Sequence, residues 1–333
     1  MPHQDSLRRP PLSPAVAAVR LAVRESLLAS ANDGDRVLVA LSGGADSLAL
    51  AAATAFEAPK LGLRAGAVIV DHALQADSAE VAARAAAVAA TLGLSPVVVK
   101  RVEVIGRNLE SAARDARYRA LGEVVTETAA RRVLLGHTLD DQAETVLLGL
   151  ARGAGAGSLK GMAAQSGIYL RPLLGIRRSV THAACAADGL SPWEDPHNVD
   201  PSFTRVRVRS TVLPVLEREI GPGIAEALVR TAEQLREDAE AFDAMIDEFI
   251  EEICEPAEAG IAVSVAALEA NPAAIRNRII RLVAHSEFGQ SLSRVHTLAI
   301  AALVTDWHGQ GPIDVPGIVV ARDGGLIVFT ARG

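Results

Sequence analysis

The sequence predicts an α/β protein built on a doubly wound parallel sheet, with a second, mainly helical C-terminal domain ending in a small β hairpin. Three observations carry this. Short β-rich apolar runs alternate with longer Ala/Leu-rich stretches through the first half, and those runs are apolar throughout. After a Gly- and Pro-rich middle, the pattern changes to long charged helical segments. A chain of 333 residues is long enough for two domains of ordinary size.

The elements follow in order. Strands are predicted at residues 36–41, 65–70, 96–100 and 132–135. Strands without polar alternation are those buried on both faces, which happens when helices cover a parallel sheet. Helices are predicted at about 47–57, 78–92, 108–129 and 139–152, where apolar residues recur at helical spacing. Right-handed crossovers between such units give the doubly wound arrangement. GAGAGSLKG, from Gly153, is a connector, and the following fifty residues carry Pro172, Pro192, Pro196 and Pro201 among arginines. A charged helix is predicted from Pro222-Gly223 to about Glu252, then two more near 273–285 and 293–304. Strands at 313–315, 318–321 and 326–330 close the chain, with Asp323-Gly324-Gly325 as a hairpin turn. The boundary is placed near 216–222, dividing the chain into domains 1–218 and 219–333.

Composition narrows the function classes. With 50% apolar and 22% charged residues, general disorder is excluded. The uncharged apolar stretch at residues 47–56 is too short to cross a bilayer, and the start lacks the apolar core of a secretory signal. The expectation is a cytoplasmic protein with no membrane partner. Cys185 and Cys254 form no C-x-x-C pair, which argues against a disulfide scaffold, a zinc ribbon or an iron–sulfur cluster. A net charge of −7 argues against nonspecific nucleic-acid binding. Arginines nevertheless cluster at Arg171, Arg177, Arg178, Arg205, Arg207 and Arg209, and again at Arg276, Arg278, Arg281 and Arg294. An acidic protein can carry such basic patches for RNA.

Four segments carry chemistry. In Ser42-Gly43-Gly44-Ala45-Asp46-Ser47 a buried strand turns tightly into a helix, so backbone N–H groups and two hydroxyls can hold phosphate oxygens. It lacks the Gly-Lys-Ser/Thr ending of a Walker A loop, and its structural alternative is a plain βα turn with Asp46 capping the helix. Val70-Asp71-His72 ends the second strand, placing His72 where open α/β sheets bind ligands, as a wall on the adenosine side. Leu135-Gly136-His137-Thr138-Leu139-Asp140-Asp141-Gln142-Ala143-Glu144-Thr145 again runs from strand to helix. Thr138 and Asp141 read as a capping pair, yet Asp141 and Glu144 share a helix face. Two carboxylates over a nucleotide site repel it unless they hold a cation or an ammonium. Last, Asn108-Leu109-Glu110 opens a helix that presents Arg114 and Arg117 on one face, either as a solvated pair near Glu110 or as phosphate or RNA contacts.

S-G-G-x-D-S after a first strand resembles the PP-loop of the ATP pyrophosphatase superfamily. With D-H-x-L at residues 71–74, N-L-E-x-x-A-R-x-x-R-Y at 108–118, G-H-x-x-D-D-Q-x-E-T at 136–145, R-P-L-L at 171–174, Trp193-Glu194-Asp195-Pro196-His197-Asn198 and the stretch 205–214, the chain resembles the tRNA(Ile)-lysidine synthase family. Thr138 stands where a second histidine is frequent in that family, and Gln75 where arginine is frequent.

The resemblance implies ATP and Mg²⁺ as cofactors, with Ser42, Gly43, Gly44, Ala45, Asp46, Ser47, His72 and Gly136 binding ATP and Asp46 positioning the metal. It implies that ATP adenylylates C2 of the wobble cytidine in tRNA(Ile) with a CAU anticodon, and that free L-lysine then displaces AMP. Asp141 and Glu144 are then the lysine-binding pair. His137, Arg114 and Arg117 steady the adenylate, and the six arginines from Arg171 to Arg209 hold the tRNA, with Tyr169, Trp193 and Phe203 as stacking candidates. The alternatives are a PP-loop ligase using free ammonia and a non-catalytic tRNA- or nucleotide-binding module. Sequence leaves open a homodimer.

Overall fold

The computed structural model describes residues 12–73, 77–104, 109–153, 155–257 and 260–332. Leu74, Gln75 and Asn108, and the side chain of Glu110, lie outside the described residues.

The chain divides into two compact units, one ending at Gln234 and one beginning at Leu235. In the first unit, α1 (Pro14–Ser30) is followed by β1 (Arg36–Ala40), α2 (Ala45–Glu57), β2 (Arg64–Asp71), α3 (Ser78–Thr91), β3 (Val97–Arg101), α4 (Leu109–Thr128), β4 (Arg132–Leu134) and α5 (Leu139–Ala151). Then come α6 (Ala156–Leu159), β5 (Gln165–Ser166), β6 (Tyr169–Leu170), α7 (Arg178–Ala187), α8 (Thr204–Arg207), α9 (Leu213–Glu219) and α10 (Ile224–Asp247), whose last turns belong to the second unit.

The sheet order is β3-β2-β1-β4-β6-β5. All neighbours run parallel except the edge strand β5, which is antiparallel to β6. Successive residues of β1 explain the unbroken apolar strand. Val37 and Val39 enter the core formed with α1, α2, α3 and α7, whereas Leu38 enters the opposite core with Leu121 and Val124 of α4. Two faces are buried, so no position can be polar. The order reverses on either side of β1, and the crevice beyond its carboxyl end is where ligands enter such sheets.

Helix α1 escaped the sequence reading, although Val16, Val19, Val23 and Leu27 form a buried stripe at helical spacing and Pro14 sits at its first position. The β5–β6 hairpin was also missed, since two-residue strands have no periodicity to detect.

The second unit continues with α11 (Ile250–Ile253), β7 (Cys254–Ala257), β8 (Gly260–Ser264), α12 (Val265–Ala270), α13 (Ala273–Phe288), α14 (Arg294–Thr305), β9 (Ile313–Val315), β10 (Ile318–Asp323) and β11 (Leu326–Ala331). Asp323 pairs with Leu326 around Gly324-Gly325, as the turn residues require, with Gly324 at φ +54°. The β element is larger than a hairpin. It is a five-stranded antiparallel sheet, β7-β8-β11-β10-β9, around a core that includes Phe329, Leu268, Ile279 and Ile300. Glu255 and Pro256 disguise β7 in the sequence.

The compact division falls within α10 rather than near 216–222. Ala225 and Val229 in the first turns of α10 pack with Leu139 and Ala143 of α5 and with Val208 and Leu213, so burial carries the first unit past Pro222.

Candidate active site

Three strand ends deliver the site. After β1 the chain turns at Gly43, whose φ of +86° is open to glycine at little cost. Ser42 N–H donates to Ser47 Oγ at 3.2 Å, and Ser47 Oγ donates to the Gly44 carbonyl at 2.9 Å, closing the loop on itself. Gly44 is the N-cap of α2 and no side chain caps the helix, so the first N–H groups of α2 are left for an anion. The capping reading of Asp46 therefore fails. Trp193 N–H donates to the Gly43 carbonyl at 2.9 Å, fixing the following loop beside the turn.

The ends of β1, β2 and β4 open into one cavity of about 840 Å³, within the range of small-ligand sites. Ser42, Gly44, Ala45, Asp46 and Ser47 line it from the first loop, Asp71 and His72 from the second, and Gly136, His137 and Asp141 from the third. Gly136 is needed for the approach, because a Cβ there would lie 3.1 Å from Ser47 N and 3.2 Å from the Asp46 carbonyl carbon. Gly43 itself does not line the cavity; it shapes the turn.

Both histidines offer unused polar atoms. His72 Nδ1 and His137 Nδ1 are buried and have no hydrogen-bond partner among the described residues. Burial drives the His137 pKa down to about 4, so the ring is neutral at ordinary pH and can donate or accept without adding charge. Burial also lowers the His72 pKa, helped by Arg117, whose Nε lies 3.5 Å from His72 Nε2. Arg117 lines the cavity, whereas its helical neighbour Arg114 does not; the Arg114 guanidinium lies 5.1 Å from the Tyr118 ring centroid.

The carboxylates are the centre of the electrostatics. Thr138 and Asp141 form a capping box at the start of α5, with Thr138 N–H and Oγ1 each 2.8 Å from Asp141 Oδ2. That leaves Oδ1 for other partners, so capping and site roles coexist in one residue. Burial works against the Asp141 anion, but Arg178, the Thr138 N–H and Arg205 outweigh it and hold the pKa below the usual carboxylate value. Asp46 goes the other way: burial raises its pKa more than Thr181 and Arg178 lower it. Thr181 Oγ1 donates to Asp46 Oδ1.

Glu144 is not an open ligand. Its side chain is 0% exposed, and Arg209 Nε (2.7 Å), Arg205 Nε (2.8 Å), Arg209 Nη2 (3.1 Å) and Arg178 Nη1 (3.4 Å) surround its two oxygens. Asp141 is the member of the pair that lines the cavity.

This arrangement corrects the expected arginine platform. Arg205 and Arg209 turn inward to Glu144 because a buried carboxylate must be paired. Arg178 joins them and reaches Asp46 as well. Arg171 is buried and donates to the Ala163 carbonyl at 2.9 Å. Arg177 pairs with Asp140 and Glu226, and exposed Arg207 is held by the carbonyls of Pro201 and Ser202. The six do not form one outward basic patch. Of the stacking candidates, Trp193 lines the cavity; Tyr169 packs edge-on to Tyr118 with centroids 4.9 Å apart, and Phe203 lies against His197.

Helix α7 supplies Thr181 and His182, which the sequence reading did not single out, and Arg178, which it assigned to tRNA. Arg178, Thr181, His182 and Cys185 are spaced i, i+3, i+4 and i+7, and Arg178, His182 and Cys185 line the cavity while Thr181 holds Asp46. That polar stripe was the available signal. Cys185 is no nucleophile: burial pushes its thiol up to about 11, and Sγ donates to the Ala45 carbonyl at 3.2 Å.

Comparison with known proteins assigns the chain to a family. A PP-loop domain profile matches residues 19–216, and a TilS substrate binding domain profile matches residues 264–327. A tRNA(Ile)-lysidine synthase from Leifsonia xyli subsp. xyli (strain CTCB07) is 61% identical over 298 residues, covering 89% of this chain and 90% of that protein. Another from Thermobifida fusca (strain YX) is 51% identical over 322 residues, covering 95% and 98% respectively. Among solved structures, the U34-tRNA thiolase NcsA from Methanococcus maripaludis with its [4Fe-4S] cluster aligns at TM-score 0.56 and 20% identity, over 67% of this chain and 79% of that one, a likeness of fold alone. An ATP-binding PP-loop domain, a substrate-binding module later in the sequence and similarity to these synthases over nearly the whole chain show that the chain belongs to the tRNA(Ile)-lysidine synthase family.

Proposed function

We propose that this protein is a tRNA(Ile)-lysidine synthase, an ATP-dependent carbon–nitrogen ligase. ATP adenylylates the C2 oxygen of the wobble cytidine in tRNA(Ile) with a CAU anticodon, releasing pyrophosphate. The ε-amine of free L-lysine then attacks C2 and AMP leaves with the oxygen. The observation that carries the reading is the meeting of the Ser42–Ser47 loop, His137 and Asp141 around one cavity.

Each residue has a task in that scheme. The uncapped N–H groups of α2, with the Ser42 and Ser47 hydroxyls, hold phosphate oxygens. Activation turns a poor leaving oxygen into AMP, and donors preorganised along the loop stabilise charge that gathers on the departing pyrophosphate. Neutral His137 and cationic Arg117, both in the cavity lining, steady the adenylate, with Arg114 against Tyr118 as a support. Asp141 meets the lysine ammonium with Oδ1 and takes its proton as the amine becomes a nucleophile, while Glu144 contributes negative charge from beneath. Tight arginine pairing of Glu144 makes it the anchor rather than the base.

Mg²⁺ fits the donor set. Asp46 faces the cavity with a hard carboxylate oxygen, and no group of three His, Cys, Asp or Glu among the described residues forms a cage of its own. A cation held by one carboxylate and otherwise by phosphate and water is the habit of Mg²⁺. When bound there, it neutralises phosphate charge and orients the leaving group.

The flipped cytidine has Trp193 in the cavity lining to stack on, and the rest of the tRNA is assigned to the second unit with its Arg276, Arg278, Arg281 and Arg294. No described helix is long and apolar enough to cross a membrane, and a tRNA substrate puts the reaction in the cytoplasm. Assembly as a homodimer belongs to the proposal too and is read by sedimentation equilibrium.

Mass spectrometry of the anticodon nucleoside, after incubating the protein with ATP, Mg²⁺, lysine and tRNA(Ile), tests the reading. Lysidine at the wobble position with one AMP formed per modified tRNA is expected. AMP formed from ATP, ammonia and a small acid without tRNA overturns it, as does tRNA binding with no AMP at all.

A further inference from the structure

We infer that Arg178 is a positioning residue that couples the nucleotide and lysine halves of the site by exchanging carboxylate partners for phosphate. The inference rests on the proposed use of Asp141 and Glu144 for lysine.

The guanidinium of Arg178 spans both halves. Its Nε lies 3.4 Å from Asp46 Oδ2 in the phosphate loop, Nη2 lies 2.9 Å from Asp141 Oδ1, and Nη1 lies 3.4 Å from Glu144 Oε1. A guanidinium therefore holds the shortest contact on Asp141 Oδ1, where a lysine ammonium is to bind. With Arg178 on the carboxylates the acidic nook is closed.

Three features make it the movable member of the cluster. Its backbone is fixed, since Arg178 N–H donates to Asp140 Oδ2 at 2.7 Å, so only the side chain has to swing. It is the first residue of α7, where the helix dipole repels a cation rather than holding it. Its departure leaves nothing stranded: Glu144 keeps Arg205 at 2.8 Å and Arg209 at 2.7 Å, and Asp141 Oδ2 keeps the Thr138 hydroxyl and N–H. What is given up is the shortest contact on Asp141 Oδ1, which then keeps only the longer ones from Arg209 Nη2 at 3.3 Å and Arg205 Nη2 at 3.8 Å.

A triphosphate supplies the competing partner. Its phosphates offer several anionic oxygens, and phosphate accepts a guanidinium bidentately. Held by the loop that contains Asp46, it stands within a side-chain swing of Arg178 Nε. Transfer of one positive charge from the nook to the phosphates strengthens nucleotide binding and creates the lysine site in a single movement. Linkage makes the effect reciprocal, so lysine tightens nucleotide binding by the same factor. Neither Arg205 nor Arg209 pairs with Asp46, so neither can play this part.

Calorimetric titration of lysine into the full chain, with and without Mg²⁺ and α,β-methylene-ATP, tests the coupling. In the wild type the analogue is expected to lower the lysine Kd at least tenfold, about 1.4 kcal/mol of coupling. In Arg178→Ala the Kd should change less than twofold and lie near the nucleotide-bound wild-type value, while the analogue itself binds more weakly. In turnover, this variant should raise KM for ATP but not KM for lysine, a split that general damage to the site does not produce. Arg178→Lys, which keeps the charge but reaches fewer acceptors, should restore part of the coupling. An unchanged lysine Kd in the wild type on adding the analogue overturns the proposal, even if the alanine variant does not fold. Full coupling in Arg178→Ala overturns it as well. Absence of lysine binding in every arm, with analogue binding intact, instead overturns the reading of the acidic pair on which the proposal stands.

Discussion

Glu144 is expected to hold the site together as much as it serves the chemistry, and Glu144→Gln separates the two. The carboxylate is fully buried and receives short contacts from Arg209 at 2.7 Å and Arg205 at 2.8 Å, with longer ones at 3.1 and 3.4 Å. Glutamine keeps one acceptor oxygen but turns an N–H₂ group toward guanidinium donors. One or two charged hydrogen bonds are lost, each about 1.5–3 kcal/mol. The arginine side chains are 20–33% exposed and relax partly toward water, which reduces the loss. A destabilisation of about 2–4 kcal/mol is the net expectation. Urea unfolding followed by Trp193 fluorescence in a Trp307→Phe background measures it on the first unit. Arg209→Gln should then cost about 1–2 kcal/mol less in the Glu144→Gln background than alone, because the partner is already gone. A glutamine variant within about 0.5 kcal/mol of wild type, yet with a large rise in KM for lysine, would refute the argument: Glu144 would then be a free ammonium ligand.

Asp46→Asn should abolish tRNA-dependent pyrophosphate release while leaving the fold intact, since asparagine still accepts from Thr181; release at the wild-type rate counts against a metal-positioning carboxylate. Gly136→Ala forces a Cβ to within 3.1 Å of Ser47 N, so KM for ATP should rise about tenfold and stability fall by about 1–2 kcal/mol, read by initial rates and urea unfolding. Thr138→Val keeps the shape but removes the hydroxyl bonded to Asp141, and should cost about 1 kcal/mol in the same unfolding assay. The lowered His137 pKa gives a pH prediction. The ring is favoured neutral in the fold, so its contribution is fully present above pH 6.5 and is lost as pH falls through about 4. The loss is at most about 3 kcal/mol, and Asp46, whose pKa is raised, opposes it in part. His137→Gln should flatten the stability slope between those pH values, and parallel slopes for variant and wild type count against the assignment.

The sheet and its main helices were legible because burial on both faces leaves an unambiguous trace. Val37, Leu38 and Val39 face alternate cores, so the strand is apolar at every position, and helices α2 to α5 carry apolar residues at helical spacing, whereas the equally striped α1 went unread. The Ser42–Ser47 turn was legible for a related reason: Gly43 at φ +86° and the close approach at Gly136 each restrict the residue type at that point. Local demands of this sort act on single residues and their neighbours, so one sequence can display them. Strands such as β7, with Glu255 and Pro256, make no such demand and passed unread.

The partners of the arginines were decided only by the fold. Nothing in R-x-R-x-R tells whether the side chains face water, RNA or a buried acid. Arg205 and Arg209 lie 61 and 65 residues from Glu144, and Arg178 lies 132 from Asp46. Such pairings depend on how α5, α7 and the segment around α8 pack, not on spacing along the chain. Sequence determines which charges are available; the packing of distant helices determines which of them are buried together, because an ion deprived of water must take whatever opposite charge the tertiary structure brings within reach.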